Sequence, residues 1–455
     1  MLSVQQAEEI IFKRVQPLDA LLDAEVVDLL AAFDRILAMP VTSDLDFPHW
    51  DNSAMDGYAV RYADVEGCSA SQPAVLEIVE EIAAGKQPQH TIKPGQAARI
   101  FTGAMMPEGA DTVVMQEVTR VEGARVVVLE APKPQAFVRR RASYYQAGTP
   151  LLMPGIVLNA PEIAILASAQ CTQVAVYRRP RVAILSTGDE LVTPGQPLEP
   201  GQIVDSNQYA IAALVAFCGG IPVLLGIIPD QIEALTDAVA SAIASADIVL
   251  SSGGVSVGDY DYVDQILESL GGDIHIRAVA IKPGKPLTFA TFKRNEQMLF
   301  VGAGLTDNQA TPTDNLTKPA PVGARENLLI QNPTPDKLYF GLPGNPGSVL
   351  VSFYRFVQPA LKKLSGLSHG WKPLFVKARV RMDLRSDGKR ETYLCGQMHL
   401  VNGEYEFQLA GGSQSSGNFI NLAQTNGLAV VPVGRTLIAA GESVQVLQLS
   451  LPVAD

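Results

Sequence analysis

The stretch from Asp247 to Val263, DIVLSSGGVSVGDYDYV, limits most tightly what this chain can fold into. Ile248-Val249-Leu250 is a short apolar run that ends in turn formers, the pattern of a strand buried on both faces. The pair Gly253-Gly254 then lets backbone N–H groups approach an anion, since no side chain stands in the way. Three carboxylates follow, Asp259, Asp261 and Asp264, and they would repel that anion unless a divalent cation sat between them. A phosphate together with Mg²⁺ satisfies both halves of the stretch.

A chain of 455 residues exceeds one ordinary core, so three or four domains are expected. Its net charge of −12, with no basic run beyond Arg139-Arg140-Arg141, argues against nucleic acid as the main partner. Cys68, Cys171, Cys218 and Cys395 lie far apart without C-x-x-C spacing, which suggests neither a zinc site nor a disulfide framework. The opening MLSVQQAEEIIFKRV reads as an amphipathic helix rather than a signal peptide. No apolar run reaches membrane-spanning length, so a cytoplasmic protein without a membrane partner is expected.

Ser3 and Gln6 form a plausible capping box for a helix through Val15, and Ala24 to Leu37 reads as a second helix. Residues 40–57 fill with turn formers and lead into Tyr58-Ala59-Val60. From Ala74 to Val138 strand-length runs alternate with turns, the mark of a small β domain. Asn159-Ala160-Pro161 opens another helix, so the β domain reads as an insertion into a helical one.

From Arg181 strands and helices alternate, as in a mostly parallel sheet with right-handed crossovers. Ligands of such sheets bind where the strands exit. Here the exits are Ser186-Thr187-Gly188-Asp189-Glu190, Pro229-Asp230, the opening stretch, and Pro343-Gly344-Asn345-Pro346. Lys282 and Lys285 add two cations on a proline-stiffened loop. Residues 302–336, rich in Thr, Asn, Pro and Gly, read as a flexible surface insertion. Strand periodicity returns after Gly366 and gives a C-terminal β domain.

The expected architecture is multidomain α/β plus β. Residues 1–45 and 146–180 form a helical N-terminal domain, and 46–145 an inserted small β domain. Residues 181–366 form a central doubly wound, mostly parallel α/β domain, and 367–455 a C-terminal β-barrel domain.

DNSAMDGYAV, ARIFTGAMMPEGADTVVMQE, RVAILSTGDELV, GQIVDSN, SSGGVSVGDYDYV, AIKPGKP and GLPGNP together resemble the successive signatures of the MoeA family. These are the molybdopterin molybdenumtransferases, similar to the gephyrin E domain. The resemblance implies a homodimer that inserts molybdate into the dithiolene of adenylylated molybdopterin, with Mg²⁺ as cofactor and release of AMP. It assigns Glu190, Asp230 and Asp261 as metal and catalytic carboxylates, with Asp259 nearby. Ser186 to Asp189, Ser252, Gly253, Gly254, Val255, Ser256, Lys282, Lys285 and Pro343 to Pro346 would hold the substrate. Asp56, as a catalytic residue, and Thr102 would face the pocket from the partner subunit. Other proteins of molybdenum cofactor biosynthesis are further possible partners.

Two positions depart from the family pattern. Gly-Glu-Asp is usual after the arginine triplet, where this chain has Ala142-Ser143-Tyr144, and an arginine is usual where Cys395 stands. A non-catalytic molybdopterin-binding paralogue or scaffold is therefore the alternative, and the retained carboxylates disfavour it. The related adenylyltransferase step is a third reading, which the flanking domains argue against.

Overall fold

The computed structural model describes residues 1–253, 262–293, 335–412 and 414–454. The chain packs into two compact units, one of residues 1–39, 154–159 and 173–455, the other of residues 40–153 and 160–172.

The smaller unit is built on a six-stranded sheet in the order Thr112–Met115, Gly57–Val60, Gln96–Ile100, Ala74–Ile82, Arg125–Val128, Thr119–Glu122. Its alternating side chains divide between two clusters, with Tyr58 and Val60 in one and Ala59 in the other. Gly57 is a steric requirement, because a Cβ there would lie 1.9 Å from the Val114 carbonyl oxygen. Two short pairs, Val41–Thr42 with Pro150–Leu152 and Asn52–Ser53 with Val138–Arg139, bring distant parts of the unit together. The helix Ala160–Ser168 also belongs to this unit.

In the larger unit, the Ser3 capping box opens the helix Val4–Arg14, with Ile11 fully buried. The second helix expected over 24–37 is not formed. Ala24–Asp28 is instead a strand paired antiparallel with Gln173–Tyr177, and Leu29–Ala32 is a 3₁₀ turn. The apolar residues that suggested helical spacing include Val26 and Leu30, which are exposed. Pairing with a β-branched partner strand 150 residues away overrides the local pattern.

The central sheet runs Ile221–Ile228, Arg181–Thr187, Ile248–Ser252, Lys337–Leu342, Pro286–Phe292, Asp273–Ala278. The first four strands are mutually parallel, and the last two join antiparallel. Along Arg181–Thr187, Val182 and Ile184 enter one core while Ala183 and Leu185 enter the other. Burial on both faces accounts for the unbroken apolar reading of the parallel strands. The helix Val4–Arg14 contributes to the first core, as does Asn207–Phe217, and Ile232–Ser245 contributes to the second.

Beyond the sheet, five strands close a barrel in the cyclic order Glu391–Val401, Glu404–Leu409, Phe375–Val380, Ser443–Gln448, Gly427–Val431. Ile281–Lys282 adds to it as a short parallel strand against Glu391 and Thr392. Residues 302–334 of the expected insertion lie outside the described residues.

Ala142 occupies a left-handed conformation, φ 60°, at the place where the glycine of the usual Gly-Glu-Asp would stand. A side chain there costs ~1–2 kcal/mol, against ~0.4–1 kcal/mol for the greater freedom of glycine in the unfolded chain. Ala142→Gly is therefore expected to stabilise the protein by about 0.5–1 kcal/mol. Denaturant midpoints of the two proteins check it, and a lower midpoint for the glycine form refutes it.

Candidate active site

The exits of the parallel strands form one wall of a cavity of about 840 Å³ in the larger unit. Thr187, Gly188 and Glu190 follow one strand, Asp230 the next, then Gly253, then Pro343, Gly344 and Asn345. Gly253, at φ 92°, lies so close to the neighbouring exit that a Cβ would stand 2.3 Å from the Thr187 carbonyl oxygen. Asn207 ties two exits together, its Nδ2 donating to Ser252 Oγ at 2.8 Å and to the Gly344 carbonyl at 2.7 Å. In the sequence Asn207 closes the GQIVDSN signature and, with Asp205 and Ser206, reads as a helix cap, yet the Ser206 side chain makes no cap hydrogen bond. Ser251 Oγ shares a hydrogen bond of 2.6 Å with Tyr339 OH. Among the described residues Ser186 Oγ and Thr187 Oγ1 are buried without a hydrogen-bond partner, and Thr187 also lines the cavity.

The carboxylates on this wall act on one another. Asp230 N–H donates to Asp189 Oδ1 at 3.2 Å. Burial, followed by the negative charges of Asp189 and Glu190, pushes the Asp230 carboxyl above its ordinary range.

The facing wall carries cations. Lys282 and Lys285 come from the connection between the sheet strands Asp273–Ala278 and Pro286–Phe292, which pairs with the barrel through Ile281–Lys282, and Arg385 and Arg390 come from the barrel segment. Lys282 Nζ donates to Asp387 Oδ2 at 3.0 Å, and Arg390 Nη1 to the Ile281 carbonyl at 3.2 Å. Gln414, Ser415 and Ser416 also line the cavity. The Gly347 N–H donates to the Ser416 carbonyl at 3.0 Å, where the two walls meet. The barrel residues were missed by sequence reasoning, and their only signal was polar, glycine-containing character between strands, SDGKRET and GGSQSSG.

Ten of the expected site residues line this cavity: Thr187, Gly188, Glu190, Asp230, Gly253, Lys282, Lys285, Pro343, Gly344 and Asn345. Ser186 and Ser252 are buried at strand ends, Asp189 contacts Asp230, and Pro346 begins the helix Pro346–Ser352. Gly254, Val255, Ser256, Asp259 and Asp261 lie outside the described residues. Among the described residues, no group of three or more His, Cys, Asp or Glu side chains could hold a metal ion. Glu190 and Asp230 remain as two members of the expected ligand set.

Asp56 and Thr102 meet in the smaller unit. Asp56 Oδ1 accepts from the Thr102 N–H and from Thr102 Oγ1, both at 2.8 Å. These two hydrogen bonds hold the Asp56 carboxyl below its ordinary range. Ser143 and Tyr144 are exposed. Cys395 sits in the barrel strand, its thiol pushed up to about 11 by burial, while Arg385 and Arg390 bring guanidinium groups to the cavity.

Family models match most of the chain in sequence order. Residues 2–169 match the MoeA N-terminal region (domain I and II), 183–363 a probable molybdopterin binding domain, and 377–449 the MoeA C-terminal region (domain IV). A molybdopterin molybdenumtransferase of Nostoc sp. is 60% identical over 451 residues, 99% of this chain and 94% of that protein. One from Haemophilus influenzae is 34% identical over 98% of each. The crystal structure of a molybdopterin biosynthesis MoeA protein from Pyrococcus horikosii superposes with a TM-score of 0.75 at 27% identity, covering 99% of this chain and 100% of that one. With full-length relatives at this identity and matching models from end to end, the chain belongs to the MoeA family.

Proposed function

We propose that this protein is a molybdopterin molybdenumtransferase of molybdenum cofactor biosynthesis. It inserts molybdate into the dithiolene of adenylylated molybdopterin and releases AMP, with Mg²⁺ as cofactor. The observation that carries this reading is the cavity with Glu190 and Asp230 on one wall and Lys282, Lys285, Arg385 and Arg390 on the other. An oxyanion needs the cationic wall, and a divalent ion needs the carboxylate one. Retention of Glu190 and Asp230 in the cavity disfavours the non-catalytic alternative.

Lys282 and Lys285 act as point charges, while the planar guanidinium groups of Arg385 and Arg390 can each engage two oxygens of phosphate or molybdate. Glycine-rich exits bring backbone N–H groups to the pyrophosphate. Glu190 and Asp230 would hold the Mg²⁺ ion; burial, followed by the negative charges of Asp189 and Glu190, raises the Asp230 carboxyl, and carboxylate oxygens brought this close suit a hard cation. Bound there, the ion supplies charge neutralisation at the pyrophosphate. Cleavage by water needs no protein nucleophile. The water oxygen joins the adenylate phosphorus, the bond from that phosphorus to the bridging oxygen breaks, the molybdopterin phosphate keeps the bridging oxygen, the released proton passes to solvent, and AMP leaves. The resemblance to the family supports a homodimer in which Asp56 and Thr102 of one subunit would serve the pocket of the other.

AMP release from adenylylated molybdopterin should depend on molybdate and Mg²⁺, and Glu190→Ala should lower it by about 100-fold or more. Molybdate-independent release, or an unaffected Glu190→Ala protein, overturns the reading.

The raised Asp230 carboxyl makes a separate prediction about stability. Its folded-state value lies above the ordinary 3.8, so the charged form is disfavoured in the folded protein once the pH exceeds both values. Asp230 then lowers stability at pH 7, and this penalty disappears as the pH falls through the folded-state value. Asp230→Asn should melt higher than wild type at pH 7 in the absence of Mg²⁺ while losing activity. Mg²⁺ should raise the Tm of wild type more than that of Asp230→Asn, because only wild type keeps both charges. Equal Mg²⁺ shifts in the two proteins would remove Asp230 from the metal site.

The shared site is tested by mixing. Asp56→Ala and Glu190→Ala proteins, each inactive alone, should regain activity when their subunits are exchanged. Failure despite demonstrated subunit exchange places both residues in one subunit's site.

A further inference from the structure

One charged side chain in the larger unit is almost wholly buried and has no part in the chemistry above. Arg355, 6% exposed, lies in the π-helical turn Phe353–Val357. Its Nη1 and Nη2 donate to Glu8 Oε1 and Oε2 at 2.6 and 2.7 Å, a two-point contact with the first helix of the chain. Its Nε donates to Tyr393 OH at 2.9 Å, and that hydroxyl donates to Glu391 Oε1 at 2.6 Å. The guanidinium carbon also stands 5.2 Å from the centre of the Phe375 ring, at the first residue of another barrel strand.

Each end of this network continues into a wall of the cavity. The helical segment that carries Arg355 begins at Asn345 and Pro346, the cap and first residue of Pro346–Ser352. On the barrel side, Tyr393 lines the cavity, and its neighbours Glu391 and Thr392 pair with Ile281 and Lys282. Arg390, one residue before Glu391, donates to the Ile281 carbonyl. The segment from Arg390 to Tyr393 therefore fixes where both Lys282 and Arg390 stand, and Arg355 fixes that segment against the helix behind the Pro343–Asn345 exit. The π turn adds to this, since π-helical turns occur frequently at functional sites.

We infer that Arg355 is a positioning residue for oxyanion binding: through Tyr393 it holds the barrel wall, with Lys282 and Arg390, at a set distance from the exits of the central sheet. This inference rests on the transferase reading of the cavity and extends it to a residue that touches no ligand.

The test uses the full chain with two variants. Arg355→Lys keeps the charge but loses the fork that reaches Glu8 and Tyr393 together. Tyr393→Phe keeps the ring and the Arg355–Glu8 pair, and it removes the hydroxyl's links to Arg355 and to Glu391, so the fold is expected to survive. Both are read by the KM for molybdate and the kcat of AMP release, by calorimetric binding of inorganic phosphate, and by Tm. Misplacing two cations weakens oxyanion binding, so KM for molybdate should rise by about fivefold or more with a smaller change in kcat, and phosphate affinity should fall in parallel. A role confined to stability would lower Tm and leave KM and phosphate affinity near their wild-type values in the folded variants; that result overturns the inference. Wild-type protein that binds phosphate but releases no AMP would overturn the transferase reading instead. Phosphate affinity of the variants would then decide the positioning role alone.

Discussion

A single guanidinium group meets three layers of the larger unit. Arg355 joins the first helix, the helical segment behind the central sheet, and the barrel. Taking such a charge out of water is costly, and only complete pairing makes it tolerable. The pairing here is two-point to Glu8 and single to Tyr393, so the geometry leaves little freedom. Apolar packing alone would allow sheet and barrel to slide against one another by small amounts. A directional, desolvated contact allows much less, and the cavity lies between those two elements.

The cavity itself separates charge of opposite sign across a short space. Although the chain as a whole carries −12, four cations gather on one wall. Local placement thus gathers cations that the average composition does not suggest, although Lys282 pairs with Asp387 and Arg385 with Asp383. The carboxylate wall stays apart because its residues follow parallel strands, whose exits share one edge. The cationic wall arises elsewhere, where the connection carrying Ile281–Lys282 pairs with the barrel strand Glu391–Val401.

Legibility in the sequence followed the range of the forces involved. Ile248-Val249-Leu250 could be read because burial on both faces leaves an unbroken apolar run. The exits could be read because glycines and hydroxyls after such a run have few other uses. Ala24–Leu37 misled because its partner strand lies near residue 175, and a window of local periodicity contains nothing of that pairing. The strand Glu404–Leu409 was passed over, although it completes the barrel by a parallel pairing with Phe375–Val380. Arg385 and Arg390 carry no signal of their own in the local sequence, and closure of the barrel brings them to the Lys282 loop. Asn207 looked like part of a cap, and its two bonds across strand exits could not be inferred from its neighbours. Ala142 is a converse case, in which the departure from family pattern was visible while its left-handed backbone was not.

The contact between Glu8 and Arg355 spans 347 residues, which gives the first helix an unusual history. Chains grow at roughly 5–20 residues per second, so the helix is made roughly 20–70 seconds before its partner exists. Through that interval its apolar face, with Val4, Ala7 and Ile11, meets a core that is still incomplete, because Phe356, Val357, Ala360 and Leu361 of that core follow Arg355 in the chain. The smaller unit, lying within residues 40–172, can be complete long before then. The first segment to be made thus waits for one of its partners, Arg355, until most of the chain exists.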